Sequence, residues 1–250
     1  MSVDRCRRTS CTSRRARLSG AWLAALVSAG YSPPVGAYES VAVPDGGSIR
    51  GKVTFAGSAP TRKIIPDKDP TVCGGPRDDP EVVLGPEQGV QDAVVYLKGV
   101  EKGKALPKPS KPAEITNHEC RFVPHVQATP VGSIVIVNTD PIMHNTHGYM
   151  DRATVFNQAL PLKGMRIPKP LNKPGMVQVK CDVHGWMLGW VYVADNPYYA
   201  VTGKDGSFTI PDVPPGSYTL VAWQEYTGPK EVPVTVAAKQ PVQVSIELKK

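Results

Sequence analysis

The stretch VQVKCDVHGWMLGWVYVA (residues 177–194) combines a strand pattern with three side chains that bind soft metals. Its two ends are rich in β-branched and aromatic residues, which favours strands. Between them Cys181, His184 and Met187 follow one another at every third position, a Cys-x-x-His-x-x-Met spacing. A short loop between two strands can bring a thiolate, an imidazole and a thioether to one point. The stretch therefore predicts a β protein with a candidate transition-metal loop.

The rest of the chain also predicts strands and no long helix. The 26 Pro and 23 Gly residues disfavour a helical bundle, because Pro lacks a backbone donor and Gly weakens helix interiors. Alternating or β-branched runs predict strands at 47–55, 90–97, 132–138, 207–210, 216–223, 231–236 and 242–248, with short strand material within 114–126. Residues 59–90 and 140–175 are predicted to be irregular. The predicted fold class is all-β.

Residues 1–37 have the order of a secretory signal: six Arg, an apolar stretch at 21–29, then small residues at 35–37. The apolar stretch is too short to span a bilayer, and no later segment predicts a membrane span. The pattern does not separate general secretion from twin-arginine export. We expect a secreted, periplasmic protein.

Removing the predicted signal changes the charge and the cysteine count. The net charge of +7 invites a nucleic-acid hypothesis, but the signal takes six Arg and one Asp with it. The remaining 23 basic and 21 acidic residues give +2, so we expect no nucleic-acid partner. Two of the five Cys also leave. Cys73, Cys120 and Cys181 remain, enough for one disulfide and one functional thiolate.

The soft and imidazole side chains are concentrated in the middle of the chain. All five His lie between 118 and 184, and five of six Met between 143 and 187. His144, just after the buried strand at 132–138, is the second imidazole that the loop requires. Two His, one Cys and a distant Met form the blue-copper ligand set, whereas structural zinc sites rarely use Met. The predicted cofactor is one mononuclear copper, bound by His144, Cys181, His184 and Met187.

Residues 114–194 resemble a cupredoxin domain of the plastocyanin and amicyanin family. The segment 120–126 (CRFVPHV) resembles the Phe-x-Pro strand of that family, and 132–140 (GSIVIVNTD) resembles the strand before its first copper histidine. The resemblance implies a Greek-key β-sandwich over 112–195, in which His144, Cys181 and His184 are equatorial ligands and Met187 is axial. It also implies an exposed edge of His184, beside Trp186, through which electrons pass.

Some assignments stay open at this stage. His147, three residues after His144, is an alternative ligand, and the roles of His118 and His125 are undetermined. If Cys181 binds copper, Cys73 and Cys120 are the expected disulfide, an inference from the count of three.

A second resemblance covers the two ends of the chain. Residues 200–210 and 213–220 resemble a carboxypeptidase regulatory-like domain, a transthyretin-type sandwich, and the segments at 51–53 and 92–97 fit its opening strands. We therefore expect a second, small β-sandwich made of 46–105 and 196–250, with the cupredoxin inserted between them. In the alternative, the strands near 50 and 94 belong to the cupredoxin and only the tail is a separate module.

The leading functional hypothesis is electron transfer by Cu(I)/Cu(II) cycling, with an unidentified redox protein as partner and no enzymatic activity. One alternative is a periplasmic copper chaperone or scavenger, which exposed Met and His clusters would favour. Another is a β-sandwich binding module without a redox role. A copper oxidoreductase needs a further metal with open coordination, for which only His118, His125 and His147 are spare. The oligomeric state is not predicted.

Overall fold

The computed structural model describes residues 38–250, so the predicted signal at 1–37 lies outside the described residues. The all-β prediction is confirmed: the described chain has twenty strands, one four-residue helix, α1 (Pro70–Cys73), and a single 3-10 turn at Pro86–Gln88. Between residues 38 and 250 there is no helix with the length and apolar character needed to cross a membrane.

The strands divide into three consecutive groups along the chain. The first group is β1 (Glu39–Ser40), β2 (Gly47–Phe55), β3 (Thr61–Ile64), β4 (Arg77–Pro80), β5 (Val94–Lys98) and β6 (Lys102–Gly103). The middle group is β7 (Ala113–His118), β8 (Arg121–Val123), β9 (Val126–Pro130), β10 (Gly132–Asn138), β11 (His144–Met150), β12 (Ala153–Leu160), β13 (Arg166–Leu171), β14 (Gly175–Lys180) and β15 (Leu188–Ala194). The last group is β16 (Tyr199–Val201), β17 (Ser207–Val213), β18 (Gly216–Gln224), β19 (Gly228–Val236) and β20 (Pro241–Leu248).

The middle group builds a two-sheet sandwich of its own, here called the central sandwich. One sheet has the order β13-β10-β7-β8 and the other β12-β11-β14-β15-β9. Side chains from both sheets alternate inward and form one apolar core that includes Ile115, Ile136, Val179 and Val191. The candidate metal loop, residues 181–187, lies between β14 and β15, so it is anchored in the five-stranded sheet.

Strands from the two ends of the described chain share a second pair of sheets, here called the outer sandwich. One sheet has the order β16-β5-β18-β19, and the other has β2 between β17 and β20. The strand β5 pairs with β16 and β18 and with no strand of the central sandwich. This is the pairing that the insertion hypothesis requires. The outer sandwich has a separate core, which includes Ile49, Leu97, Tyr198 and Leu220.

Two segments predicted to be irregular contain regular structure. Residues 59–90 contain the hairpin β3–β4 and helix α1, and residues 140–175 contain β11, β12 and β13 in full. The prediction was wrong for β11 (HNTHGYM), whose polar residues have low strand propensity. Ladder hydrogen bonds on both sides, to β12 and β14, hold β11 extended, so tertiary context overrides local preference.

The two sandwiches contact each other through an aromatic cluster and one partly buried ion pair. Tyr96 of β5 stacks on Tyr192 of β15, with ring centroids 4.5 Å apart. His125 Nε2 lies 2.6 Å from Glu225 Oε1, and the Trp190 Nε1–H group donates to the other carboxylate oxygen at 2.6 Å. Burial alone would lower the pKa of His125, but the hydrogen bond and charge of Glu225 outweigh it and raise that pKa above 6.5.

The same pair lowers the pKa of Glu225 below 4.5, because the contacts with His125 and Trp190 outweigh the opposing effect of burial. A raised histidine pKa stabilises the fold below the unfolded value near 6.5, and that contribution is lost as the pH rises through the folded value. A lowered carboxyl pKa stabilises it above the unfolded value near 4.5. The pair therefore contributes most between these two values.

We expect Glu225→Gln to lower the free energy of unfolding by about 1 kcal/mol at pH 6, a modest value because His125 is partly exposed. At pH 9 the difference from the native protein should shrink, since His125 is then neutral in both. Urea denaturation at the two pH values measures this. Glu231→Gln, which removes an exposed pair with Lys98, is the control and should show little pH dependence. A Glu225→Gln effect equal at both pH values would contradict the assignment.

Candidate metal centre

The loop 181–187 places Cys181 and His184 within one tight turn. Strand β14 ends at Lys180, which pairs with Leu188 at the start of β15, so the ladder closes the loop at its base. Inside the loop the Met187 N–H group donates to the His184 carbonyl at 3.0 Å. Cys181 is 2% exposed and His184 is fully buried. The loop therefore turns its thiol and imidazole into the core.

His144 reaches the same point from the neighbouring strand. It is the first residue of β11, which pairs with β14 through His147 and Lys180. The buried amide of Asn138 holds the preceding loop, because its Nδ2 donates to the carbonyls of Ile142 at 2.9 Å and Leu160 at 3.0 Å. Its Oδ1 accepts from the Asp140 N–H group at 3.0 Å. Asn138 thus fixes the chain that delivers His144.

Three electron-pair donors converge between these elements. His144 Nδ1 lies 4.0 Å and His184 Nδ1 lies 3.7 Å from Cys181 Sγ. All three atoms lie within 4.8 Å of one another, and all three residues are buried. The backbone N–H groups of Asn145 and His184 each donate to Sγ at 3.4 Å. The sulfur of Cys181 is thus held by two backbone N–H groups and faces both imidazoles, and a cysteine sulfur is a soft ligand atom of the kind that copper prefers.

A carboxylate orients each imidazole from its far side. His144 Nε2–H donates to Asp140 Oδ2 at 2.8 Å, which leaves Nδ1 as the acceptor that faces Cys181. Burial would raise the pKa of Asp140, but the N–H groups of Cys120 and Glu119 and the His144 contact lower it below its ordinary value. Burial lowers the pKa of His144, and Asp140 only partly offsets this. His144 is therefore held neutral with a lone pair available for a metal.

His184 is oriented by Asp69, whose Oδ2 lies 2.9 Å from His184 Nε2. Here the structure differs from the expected exposed histidine edge. The His184 side chain is 0% exposed, and the Asp69 carboxylate lies against its Nε2 atom. Trp186 contacts His184 edge to face, with centroids 5.2 Å apart, and is itself partly buried. An electron port at His184 and Trp186 is therefore not an open surface.

Of the other predicted residues, Met187 lies in the core that includes Cys181, whereas His147 and His118 contact groups outside the triad. Met187 is 2% exposed and belongs to the same apolar core as Cys181. His147, the alternative ligand, points elsewhere: its Nδ1 lies 3.0 Å from Asp182 Oδ2 and it stacks on Tyr149. Residues three apart in a strand face opposite sides, so β11 can present His144 or His147 to the site but not both. His118 bonds Thr139 at the surface.

The structure joins Cys73 and Cys120 in a disulfide, which leaves Cys181 as the free cysteine of the described residues. Two other groups of metal-type atoms are close together, but one includes both disulfide sulfurs and the other includes that of Cys120. A disulfide sulfur is not a thiolate, so these groups do not compete with the triad of His144, Cys181 and His184.

Sequence reasoning missed three groups that support the triad. Asp140 precedes His144 by four residues, and that Asp-x-x-x-His spacing is a signal that could have assigned its role. The Asn145 N–H group and Asp69 leave no such signal. Asp69 lies 115 residues before His184, so only the folded chain brings the two together.

We expect Asn138→Ala to lower the free energy of unfolding by about 3 kcal/mol, because two buried carbonyls lose their donor and one N–H group loses its acceptor. Urea denaturation of the metal-free protein measures this. Asn172→Ala, at an exposed asparagine of the same sandwich, is the matched control and should stay within about 0.5 kcal/mol of the native protein. A loss below 1 kcal/mol for Asn138→Ala would contradict the role assigned to its amide.

Comparison with known proteins gives one family for the end of the chain. The model of the carboxypeptidase regulatory-like domain matches residues 191–249, which confirms the resemblance predicted there. A probable rhamnogalacturonate lyase A of Aspergillus flavus is 43% identical over 53 residues, 21% of this chain. The chain spans only 10% of the length of that lyase.

The solved structures similar to this chain include cupredoxins. A copper-containing nitrite reductase from Thermus scotoductus SA-01 is 25% identical and covers 36% of this chain and 24% of its own, with a TM-score of 0.30. A purple cupredoxin from Nitrosopumilus maritimus is also 25% identical, covering 33% of this chain and 99% of its own at a TM-score of 0.29. An amicyanin is 16% identical and covers 35% and 86%, at a TM-score of 0.31. The chain is thus similar to cupredoxins over about a third of its length and matches the carboxypeptidase regulatory-like family over residues 191–249.

Proposed function

We propose that this chain is a secreted, periplasmic electron-transfer protein with one mononuclear type 1 copper site. His144, Cys181 and His184 would hold the copper, with the Met187 thioether as a fourth, weaker ligand. The observation that carries the proposal is the convergence of two imidazole Nδ1 atoms and one thiol within 4.8 Å of one another in a buried pocket. Bound copper would supply one-electron transfer by cycling between Cu(II) and Cu(I).

The donor set fits copper better than zinc. Structural zinc sites gather four Cys or His ligands, and the described residues bring only three to this point. A soft thiolate, two neutral imidazoles and a nearby thioether suit both copper oxidation states. The hydrogen bonds on both Nε2 atoms leave each Nδ1 as a lone-pair donor, so the imidazoles need no rearrangement to bind.

The protein's own contribution is a buried set of ligands held in place by backbone hydrogen bonds. The β11–β14 ladder fixes the spacing between His144 and Cys181, and the base of the loop at Lys180 and Leu188 fixes His184. Two backbone N–H groups hold the thiolate in place. Ligands locked by sheet hydrogen bonds move little between oxidation states, which favours fast electron transfer over substrate chemistry.

Two features support the proposed location. The order of residues 1–37 is that of a secretory signal. The disulfide between Cys73 and Cys120 is typical of an oxidising compartment. The electron partner is a second redox protein.

We expect the purified protein to bind one Cu(II) and to show an intense visible thiolate-to-copper absorption band. Cys181→Ser should abolish the band, because serine offers no thiolate. His144→Ala should lower copper affinity by about 100-fold or more, because it removes a ligand. Loss of a residue that only hydrogen-bonds to a ligand typically lowers metal affinity by about 10–100-fold. Optical titration with Cu(II) measures both.

His147→Ala is the matched control for His144→Ala, since it removes an imidazole from the same strand on the opposite side. It should keep both the band and the affinity. Binding of zinc alone, the absence of a visible band, or equal losses in the two histidine variants would overturn the proposal.

A further inference from the structure

Residues 65–76, here called the strap, connect β3 to β4 and lie against the loop that carries His184. They precede the central sandwich in sequence, so no local constraint places them there. Three contacts hold them: the Lys68 Nζ–H group donates to the Val183 carbonyl at 3.1 Å, Asp69 bonds His184, and Cys73 is joined to Cys120. The strap is thus fastened on both sides of Asp69.

Asp69 lies at the start of helix α1, but its side chain does not cap that helix. It is the N-cap of α1, where an aspartate carboxylate usually accepts a hydrogen bond from the first helical turn. Its backbone is left-handed, with φ 49° and ψ 47°, and its side chain makes no capping bond. The carboxylate instead reaches His184 Nε2 at 2.9 Å. The Asp69 side chain therefore contacts His184 and not the N-terminus of α1.

This contact determines which nitrogen of His184 can bind a metal. A proton on Nε2 is held by the Asp69 carboxylate, so Nδ1 keeps its lone pair and faces Cys181 Sγ at 3.7 Å. A carboxylate behind a histidine ligand also makes the imidazole a stronger electron donor. Such a donor stabilises the more highly charged metal ion in preference to the less charged one.

We propose that Asp69, supplied by a segment outside the central sandwich, is a positioning residue that fixes His184 for copper and shifts the site toward Cu(II). The inference rests on the proposed copper site for its redox consequence. Its structural part, the fixed tautomer of His184, stands on the described contacts alone. Asp140 serves His144 from within the central sandwich, whereas His184 depends on the strap.

The first test needs no metal. Nitrogen-15 NMR of the copper-free protein reports which ring nitrogen of His184 carries the proton. The native protein should show a single tautomer with the proton on Nε2. Asp69→Ala should show a mixture, and Asp67→Asn, which removes a carboxylate two residues away in the same strap, should match the native protein. A single Nε2–H tautomer that persists in Asp69→Ala would overturn the proposal.

The second test is the reduction potential of the copper-loaded protein. We expect Asp69→Ala to weaken Cu(II) binding about tenfold relative to Cu(I), which corresponds to a rise of about 59 mV. Asp69→Asn keeps an acceptor without the charge, so it should retain the tautomer and raise the potential by a smaller amount. Asp67→Asn should leave the potential unchanged. Equal potentials for native protein and Asp69→Ala, or an equal shift in Asp67→Asn, would overturn the redox part of the proposal.

The two tests separate the failure of this inference from the failure of the proposed function. If the native protein binds no copper, the proposed function fails, while the tautomer experiment still decides whether Asp69 positions His184. If it binds copper but Asp69→Ala changes neither readout, only the inference fails. Circular dichroism of each variant establishes that it is folded. If Asp69→Ala is not folded, Asp69→Gly replaces it, because glycine also removes the carboxylate and adopts the left-handed backbone of residue 69 without strain.

Discussion

The constraint on which the central sandwich depends is the burial of a thiol and two imidazoles at one point of an apolar core. Buried polar groups are costly unless each is hydrogen-bonded. The fold meets that requirement on the outer side of every group: backbone N–H groups donate to Cys181 Sγ, and carboxylates hold both Nε2 atoms. On the inner side, two lone pairs and a sulfur face one another. Such an arrangement is stabilised by a shared cation, which is why the donor set points to a metal.

The site is a product of long-range pairing and not of one loop. Cys181 and His184 come from a single turn, but His144 arrives from a strand that begins 37 residues before Cys181. The register between β11 and β14 brings them together, and a shift of one residue would turn His144 away and bring its neighbour to the core face. The amide of Asn138 makes such a shift costly, because it ties the loop before His144 to two fixed carbonyls.

The sequence was sufficient to predict the strand-loop-strand unit, the all-β class and the residues that converge. It was insufficient where a feature depends on contacts distant in sequence. The polar strand β11 has no local signal because its conformation comes from its two neighbours. The orientation of His147 follows from strand geometry, which is invisible until β11 is known to be a strand. No sequence motif marks Asp69. The expected exposure of His184 was wrong because the strap, which carries Asp69, lies against that histidine.

That segment also bears on the choice between electron transfer and copper handling. A protein that passes copper on must release it, and release is easiest where ligands are exposed and mobile. Here every ligand of the triad is buried, and the strap over His184 is fastened by a disulfide. The strap begins and ends in the hairpin β3–β4, and the outer sandwich is further joined to the central one by the Tyr96–Tyr192 stack and the His125–Glu225 pair. Opening the site would therefore disturb several contacts at once. If the triad binds copper as proposed, this cover favours retention of the ion, which a repeated one-electron carrier requires.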